Sequence, residues 1–98
     1  MARLLTYSVY IMSNKNRAVF YVGVTSNLES RVLAHKNGES KFTAKYNCTD
    51  LLYYEDYTNV RNAIAQEKQL KKWKREWKEE LIRKENPEMN DLAAAWYS

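Results

Sequence analysis

Four side chains that can bind anions or move protons follow one another early in the chain: Tyr10, Tyr21, Arg31 and His35. A guanidinium can hold two oxygens of an anion at once, and a phenol or an imidazole can orient a water or carry its proton. Taken singly, each residue has an ordinary structural explanation in packing, hydrogen bonding or ion pairing. The spacing indicates a reactive cleft only if the fold gathers the four groups.

The two tyrosines lie in short β-branched and aromatic runs, Ser8–Ile11 and Phe20–Gly23, around a polar turn. If Asn14–Arg17 forms a symmetric loop, the strands pair with Tyr10 opposite Tyr21. The two phenols then share one face of a hairpin. A slip of one residue would turn both tyrosines over.

The next predicted pair is Ser8 with Gly23, on the same face as the tyrosines. Two such small side chains would leave a hollow in which a ligand could approach the backbone. By alternation the other face packs on the core, with Val9, Ile11, Phe20 and Val22.

A helix is predicted from about Asn27 to Asn37. Ser26 and Glu29 match a capping box at its start, and Gly38 is placed to end it. The i, i+3, i+4, i+7 spacing puts Leu28, Arg31, Val32 and His35 on one stripe, so Arg31 and His35 are expected to point inward.

The rest of the chain predicts an α+β domain of order β-β-α-β-α-α, with a small antiparallel sheet flanked by helices. Residues 39–48, with Phe42 and Tyr46 as anchors, read as a loop or one helical turn. The remaining elements are a strand over Leu51–Tyr57, a helical pattern over Asn59–Lys84 with a break between Lys72 and Glu76, and a short helical turn over Asp91–Tyr97 after Pro87.

Glu67 interrupts the apolar stripe of the long helical pattern, between Ile64 and Leu70. An inward carboxylate needs a cation, hydrogen-bond donors or water, because burying it unpaired costs several kcal/mol. Two partners stay open at this point: Arg31, in a structural ion pair, or a divalent metal ion.

In this order these residues resemble the signature of the GIY-YIG nucleases: Ser8-Val9-Tyr10, Tyr21-Val22-Gly23, Arg31, His35 and Glu67. The likeness extends from about Thr6 to Lys84. Two further segments are similar to the small single-domain, UPF0213-like branch of that superfamily, namely Ser40-Lys41-Phe42-Thr43 and Glu67–Trp73. The sequence departs from the signature at Ser8, which replaces a glycine, and at Val9 and Val22, which replace isoleucines. A further polar residue that some relatives carry near the carboxyl end has no match here.

The resemblance implies a divalent-metal phosphodiesterase site on the sheet face, with structure-selective action on DNA in repair or recombination, and with RNA as an open alternative. Glu67 would be the sole protein ligand of Mg²⁺ or Mn²⁺, a weak site until a phosphate completes it. Arg31 would bind phosphoryl oxygens. Tyr10 would orient or deprotonate the water, Tyr21 would hold that water or Tyr10, and His35 would relay the proton.

A basic stretch on the long helical pattern can track a phosphate backbone, with Trp73 and Trp77 available for stacking if exposed. The interspersed glutamates favour the simpler interpretation of a solvated helix with i, i+4 ion pairs and tryptophans in the core. The candidate nucleic-acid contacts are Lys41, Lys68, Lys71, Lys72 and Arg75.

The 98 residues fit one domain, with a core of the motif over about 6–84 and a tail over 85–98. The net charge of +4 suits a polyanion but is a weak signal among 12 acidic residues. One Cys48 and one His35 exclude a disulfide and a Cys/His zinc cage, which predicts a reducing, cytoplasmic setting. We expect no targeting segment and no membrane span from Met1 to Met12.

Two other functions remain open from the sequence. The domain can be a nucleic-acid-binding module that keeps the fold without turnover, with a protein partner supplying recognition. Alternatively it is a protein-interaction subunit that uses Trp96 and Tyr97 as an exposed apolar anchor.

Overall fold

A computed structural model describes residues 6–97. Residues 1–5 and Ser98 lie outside the described residues, and so does that part of the amino-terminal segment for which no membrane span is predicted. The elements are β1 (Tyr7–Ser13), β2 (Phe20–Thr25), α1 (Leu28–Lys36), α2 (Lys41–Lys45), β3 (Asp50–Tyr57), α3 (Val60–Lys72) and α4 (Arg75–Glu85). This order confirms the predicted α+β class. Over residues 6–97, none of the helices has the length and apolarity that crossing a bilayer requires.

The sheet is antiparallel with strand order β2-β1-β3, so β1 is central and both of its faces are covered. One face carries Val9 and Ile11, which pack with Ala63 and Leu70 of α3 and with Ile82 of α4. The other face is covered by α1 and by the carboxyl-terminal segment, and its cluster contains Tyr10, Met12, Val32, Leu51 and Ala93. Tyr10 is therefore placed in the second core and is 2% exposed.

The predicted hairpin register is wrong by two residues. Tyr10 pairs with Gly23 and Met12 pairs with Tyr21, because the loop spans residues 14–19 in place of 14–17. The Asn14 side-chain oxygen accepts bonds from the amides of Ala18 and Val19, at 2.9 and 3.1 Å, which closes this longer loop. A shift of two preserves the alternation, so the two tyrosines still share a face.

The predicted hollow beside the tyrosines is also wrong. Ser8 pairs with Thr25, and the ring of Tyr10 lies over Gly23 and fills the space that its missing side chain leaves. The Ser8 hydroxyl donates to Asp56 of the neighbouring strand at 2.6 Å. The serine that replaces the signature glycine therefore forms a hydrogen bond between two strands of the sheet.

Helix α1 begins one residue later than the capping box predicts. Asn27 is the N-cap, and its side-chain oxygen accepts from the Ser30 amide at 3.1 Å. Asparagine is as good a cap as serine, and this one reaches the correct amide. Gly38 ends the helix as expected, in the left-handed region at φ +73°.

The predicted break in the long helical pattern is confirmed at Trp73 and Lys74, both of which have extended backbone between α3 and α4. Trp73 packs against the core, as expected. The expectation that Trp77 is also a core residue is wrong, because its side chain is 49% exposed and its ring meets the ring of Trp73 edge-on.

The carboxyl-terminal segment, residues 86–97, is folded onto the sheet as a run of turns and not as a free tail. Asp91 accepts from the Leu51 amide at 2.9 Å and pairs with Lys36 at 2.7 Å. Trp96 packs on the second core cluster, and the Tyr97 hydroxyl donates to the Glu29 carbonyl at 2.5 Å. The predicted exposed anchor for a protein partner is therefore wrong for Trp96.

Candidate active site

Tyr10 and His35 form a buried hydrogen bond between the centre of the sheet and the last turn of α1. The Tyr10 hydroxyl lies 2.8 Å from His35 Nε2, and His35 is 1% exposed. The strand positions the phenol through its pairing with Gly23, and the helix delivers the imidazole one turn beyond Arg31. The sequence prediction that His35 points inward is confirmed.

Thr43 of α2 holds the other ring nitrogen, with its hydroxyl oxygen 2.8 Å from His35 Nδ1. The Thr43 hydroxyl itself donates to the Ser40 carbonyl at 3.4 Å. With the Thr43 proton assigned to Ser40, the Thr43 oxygen accepts from Nδ1–H, and this tautomer leaves Nε2 as the acceptor for the Tyr10 proton. The three side chains form a directed chain from Tyr10 to His35 to Thr43.

The sequence prediction missed the role of Thr43. It lies within the segment Ser40-Lys41-Phe42-Thr43, in which the resemblance is visible but no function is assigned. The available signal was the position of this hydroxyl residue within the segment that carries the resemblance, and in the fold Thr43 is fully buried. Only the fold shows that α2 brings the two together, because the loop between them has no periodic pattern.

Burial, and secondarily the charge of Arg31, lowers the pKa of His35 to about 4. Burial also raises the pKa of Tyr10; Tyr21 and Glu67 add to this rise, and Arg31 opposes it. At neutral pH the site therefore holds a neutral imidazole that accepts from an intact phenol. An ion pair of phenolate and imidazolium is disfavoured at rest.

Tyr21 lies diagonally beside Tyr10 on the same face and is half-buried. Its ring centroid is 6.3 Å from that of Tyr10 and 5.3 Å from that of His35, the latter edge-on. The ring also contacts Phe42 of α2 at 5.6 Å. Tyr21 is thus the phenol on the more open side of the cluster.

The position of the Tyr10 ring explains why β2 requires a glycine at residue 23. A Cβ added there would lie 2.5 Å from both the Cζ and the hydroxyl oxygen of Tyr10. No side chain fits unless the phenol moves, so Gly23 fixes the position of the hydroxyl that bonds His35.

Arg31 does not point inward, and the stripe prediction is wrong for this residue. Its side chain is exposed, although its charge acts on both Tyr10 and His35. A long arginine side chain keeps its guanidinium in water when burial offers no carboxylate partner. The cation therefore borders the buried cluster and is available to an anion from solvent.

Glu67 has Lys71 as its ion-pair partner, at 3.0 Å, and the open choice of Arg31 is wrong. The two residues are separated by one helical turn of α3, which places their side chains together. The Glu67 side chain is 14% exposed, so its carboxylate lies at the surface of α3 and not in a dry core. Its charge raises the pKa of Tyr10, which places it within electrostatic reach of the phenol.

The donor set fits a hard divalent cation only if substrate oxygens and waters complete the coordination. Over residues 6–97, no group of three or more histidine, cysteine, aspartate or glutamate side chains could hold a metal ion. Mg²⁺ and Mn²⁺ accept a single carboxylate and keep several waters. Glu67 is the residue that would hold such an ion.

The predicted nucleic-acid contacts do not share one environment. Lys41, Lys68 and Lys72 are exposed, and Lys71 pairs with Glu67. Arg75 is engaged in the fold: its guanidinium donates to the carbonyls of Arg17 and Ala18, pairs with Glu79 and stacks on Phe20.

Comparison with known proteins shows the family to which the chain belongs. A family model described as the GIY-YIG catalytic domain matches residues 6–80. A UPF0213 protein of Clostridium perfringens is 40% identical over 75 residues, which is 76% of this chain and 80% of the relative. A UPF0213 protein of Syntrophus aciditrophicus is 33% identical over 82 residues, 82% of this chain and 92% of the relative.

A solution NMR structure of a UPF0213 protein from Bacillus halodurans superposes with a TM-score of 0.58 at 24% identity, covering 93% of this chain and 98% of that one. That likeness supports the fold alone. Together, the family model and the relatives define the class: the chain belongs to the GIY-YIG family, in its small single-domain branch. The family is one of nucleases, and the UPF0213 relatives carry no assigned activity.

Proposed function

We propose that this domain is a divalent-metal-dependent hydrolase of phosphodiester bonds in DNA. The observation that carries the proposal is the hydrogen-bonded chain Tyr10–His35–Thr43, in which a neutral imidazole accepts from a buried phenol. Arg31 and Glu67 both act electrostatically on that phenol, and Tyr21 borders it. A tyrosine with only a structural role needs a hydrogen-bond partner, but it does not need charged side chains such as Arg31 and Glu67 nearby.

The raised pKa of Tyr10 disfavours a free phenolate, and the lowered pKa of His35 means that its ring is neutral at rest, with Nε2 able to accept a proton. A water donates one proton to the Tyr10 oxygen while the Tyr10 proton passes to His35 Nε2. The resulting hydroxide attacks phosphorus, and the bond to the leaving oxygen breaks; that oxygen takes a proton from solvent. Tyr10 remains neutral throughout, and His35 returns its proton to solvent afterwards.

Arg31 is exposed and its charge acts on both Tyr10 and His35, so its guanidinium is available to a phosphate that enters from solvent. Its planar guanidinium can bond two phosphoryl oxygens and oppose the charge that builds on them. Once the phosphate is bound, its negative charge offsets the effect of Arg31 on His35 and makes the imidazole a better proton acceptor.

Glu67 would hold Mg²⁺ or Mn²⁺, which when bound would stabilise charge on the phosphoryl and leaving oxygens. Lys71 already neutralises part of the carboxylate charge, so affinity without DNA is expected to be weak. The same ammonium can turn to a DNA phosphate once the carboxylate has a stronger partner.

The proposal is tested by cleavage of flapped, branched and single-stranded DNA with Mg²⁺ or Mn²⁺. We expect product from the wild-type protein and a loss of at least roughly 100-fold in rate for Glu67→Gln, because the carboxylate that would hold the metal ion has lost its charge. Glu76→Gln is the matched control, since Glu76 is an exposed carboxylate in the first turn of α4 and not a member of the proposed site. Equal rates for Glu67→Gln and wild type would overturn the proposed site.

A binding module without turnover is the second candidate. The observation in its favour is that Tyr10 is 2% exposed, which restricts access of water to its hydroxyl. This candidate predicts salt-dependent DNA binding that Glu67→Gln leaves unchanged, with no cut product at any metal concentration. Metal-dependent product from the wild-type protein would reject it.

A further inference from the structure

Helix α2 presents two exposed aromatic rings side by side. Phe42 is 44% exposed and Tyr46 is 39% exposed, and their centroids are 4.9 Å apart. They lie four residues apart and so on the same side of the helix. Two adjoining rings on a surface form an apolar face of the kind that binds a flat partner.

This aromatic pair is attached to the candidate active site through two separate contacts. The Phe42 ring meets Tyr21 at 5.6 Å, and Tyr21 in turn meets His35. The neighbouring residue Thr43 bonds the His35 ring from the buried side of the same helix. The relay and the aromatic pair are therefore held at a fixed separation by α2.

The surroundings of the aromatic pair are basic and polar. Residues 40–48 contain no acidic side chain, and Lys41 and Lys45 are both exposed. The Lys45 ammonium lies 5.4 Å over the ring of Tyr46, which leaves Phe42 as the more open face. Such charge complements a phosphate backbone and disfavours a basic or purely apolar protein partner.

A groove of about 380 Å³ continues beyond Tyr46. Its other lining residues are Asn14, Lys15, Asn16 and Asn47, three amides and one cation. The Lys15 side chain is 79% exposed although it pairs with Asp50. Amides and an ammonium are suitable partners for the polar edges of a base and for a phosphate.

We propose that Phe42, supported by Tyr46, stacks on an unpaired base of the DNA strand whose phosphate lies at the relay. Lys41 and Lys45 then contact the flanking phosphates. The inference rests on the proposed function for the place of the scissile phosphate, and it names the substrate class as single-stranded or locally unpaired DNA. In a duplex the base faces are covered by their neighbours, so the same rings have nothing to stack on.

The test is fluorescence anisotropy of a short labelled single strand and of its duplex, in EDTA so that no cleavage occurs. Each stacked base contributes about 1 kcal/mol or more, so Phe42→Ala is expected to raise the Kd for the single strand at least about fivefold. Phe42→Trp is expected to bind the single strand as tightly as the wild type does. Neither substitution is expected to change the Kd for the duplex. Tyr54→Ala is the matched control, because Tyr54 is an aromatic side chain of similar exposure, 38%, that lies on β3 and outside the aromatic pair.

Wild-type affinity for the single strand in Phe42→Ala overturns the stacking inference, and so does an equal loss of affinity for single strand and duplex. Tighter binding of an RNA strand of the same sequence overturns the assignment to DNA. If the wild-type protein cleaves DNA while Phe42→Ala binds the single strand with wild-type affinity, the stacking inference fails and the proposed function stands. If the wild-type protein binds no strand of either kind, the proposed function fails with it.

Discussion

The environment of His35 determines what the residues of the site can do at neutral pH. Its ring is buried, bonded at both nitrogens and close to the charge of Arg31, so the neutral form is stabilised. A histidine of ordinary pKa would be partly protonated near pH 6.5 and would then donate to Tyr10. The lowered pKa keeps Nε2 free to accept, which the relay requires.

The same shift makes folding stability depend on pH. The pKa of His35 is about 4 in the folded protein against an ordinary 6.5, so between these values the unfolded chain binds more protons. Stability is therefore complete above about pH 6.5 and falls as the pH is lowered towards 4, by up to about 3 kcal/mol. Chemical denaturation at several pH values measures this loss.

The chain contains one histidine, so NMR provides a direct control. The ring signals of His35 can be followed without assignment of other histidines. A midpoint near pH 4 agrees with the buried relay. A midpoint near 6.5, together with flat stability between pH 5 and pH 7, contradicts it.

At the scale of the elements, strand pairing decides where the Tyr10 hydroxyl lies. The alternation in the sequence correctly predicts that Tyr10 and Tyr21 share a face, because parity survives a shift of two residues. The register itself depends on the loop. Arg17 adopts a left-handed backbone conformation there, at φ +59°, which the conformational preferences of arginine do not predict.

Contacts between residues far apart in the chain could not be predicted from local sequence patterns either. The apolar periodicity predicts α3, α4 and the break at Trp73, since these follow from neighbours in the chain. The exposure of Arg31 follows from how α1 packs on the sheet, whereas the pairing of Glu67 with Lys71 is a local contact at i, i+4 spacing. The motif predicted the candidate site residues, and only the fold showed that Thr43 contacts one of them, His35.

The close approach of β1 to β2 at Gly23 gives a prediction. Gly23→Ala places a Cβ within 2.5 Å of Tyr10, so the phenol must leave His35. We expect a cost of roughly 1–3 kcal/mol in stability and a loss of DNA cleavage of at least roughly 100-fold. Thermal unfolding and single-turnover cleavage rates measure the two effects.

Gly38→Ala is the matched control for this substitution. A Cβ at Gly38 has room, with Ala44 Cβ nearest at 3.9 Å, but its φ of +73° strains any other residue by about 1 kcal/mol. The control therefore loses stability and keeps cleavage. Full activity of folded Gly23→Ala would show that the position of Tyr10 is unimportant.

At the scale of the whole molecule, the carboxyl-terminal segment completes the face of the sheet that carries the site. Its contacts reach β3 and α1 together, through Leu51 and Lys36 on the two sides of Asp91. Ala93 is buried in the same cluster as Tyr10. The segment thus belongs to the scaffold that holds the relay.

Removal of the Asp91 carboxylate tests this integration. Asp91→Ala leaves the Leu51 amide without its acceptor and Lys36 without its ion pair, at a cost of roughly 2–3 kcal/mol. The expected fall in Tm is on the order of 10 °C for a domain of this size. Glu88→Ala, an exposed carboxylate in the same segment, is expected to change Tm little. Equal Tm values for the two variants would contradict the structural role of the segment.

The measurement that tests the relay most directly compares DNA cleavage by Tyr10→Phe and Tyr54→Phe. The two tyrosines are ladder partners on β1 and β3, but Tyr54 is 38% exposed and does not bond His35. If Tyr10 passes a proton from water to His35, Tyr10→Phe retains its fold and loses roughly 10²–10⁴-fold in rate, whereas Tyr54→Phe cleaves like wild type. A folded Tyr10→Phe protein that cleaves DNA at the wild-type rate would contradict the relay.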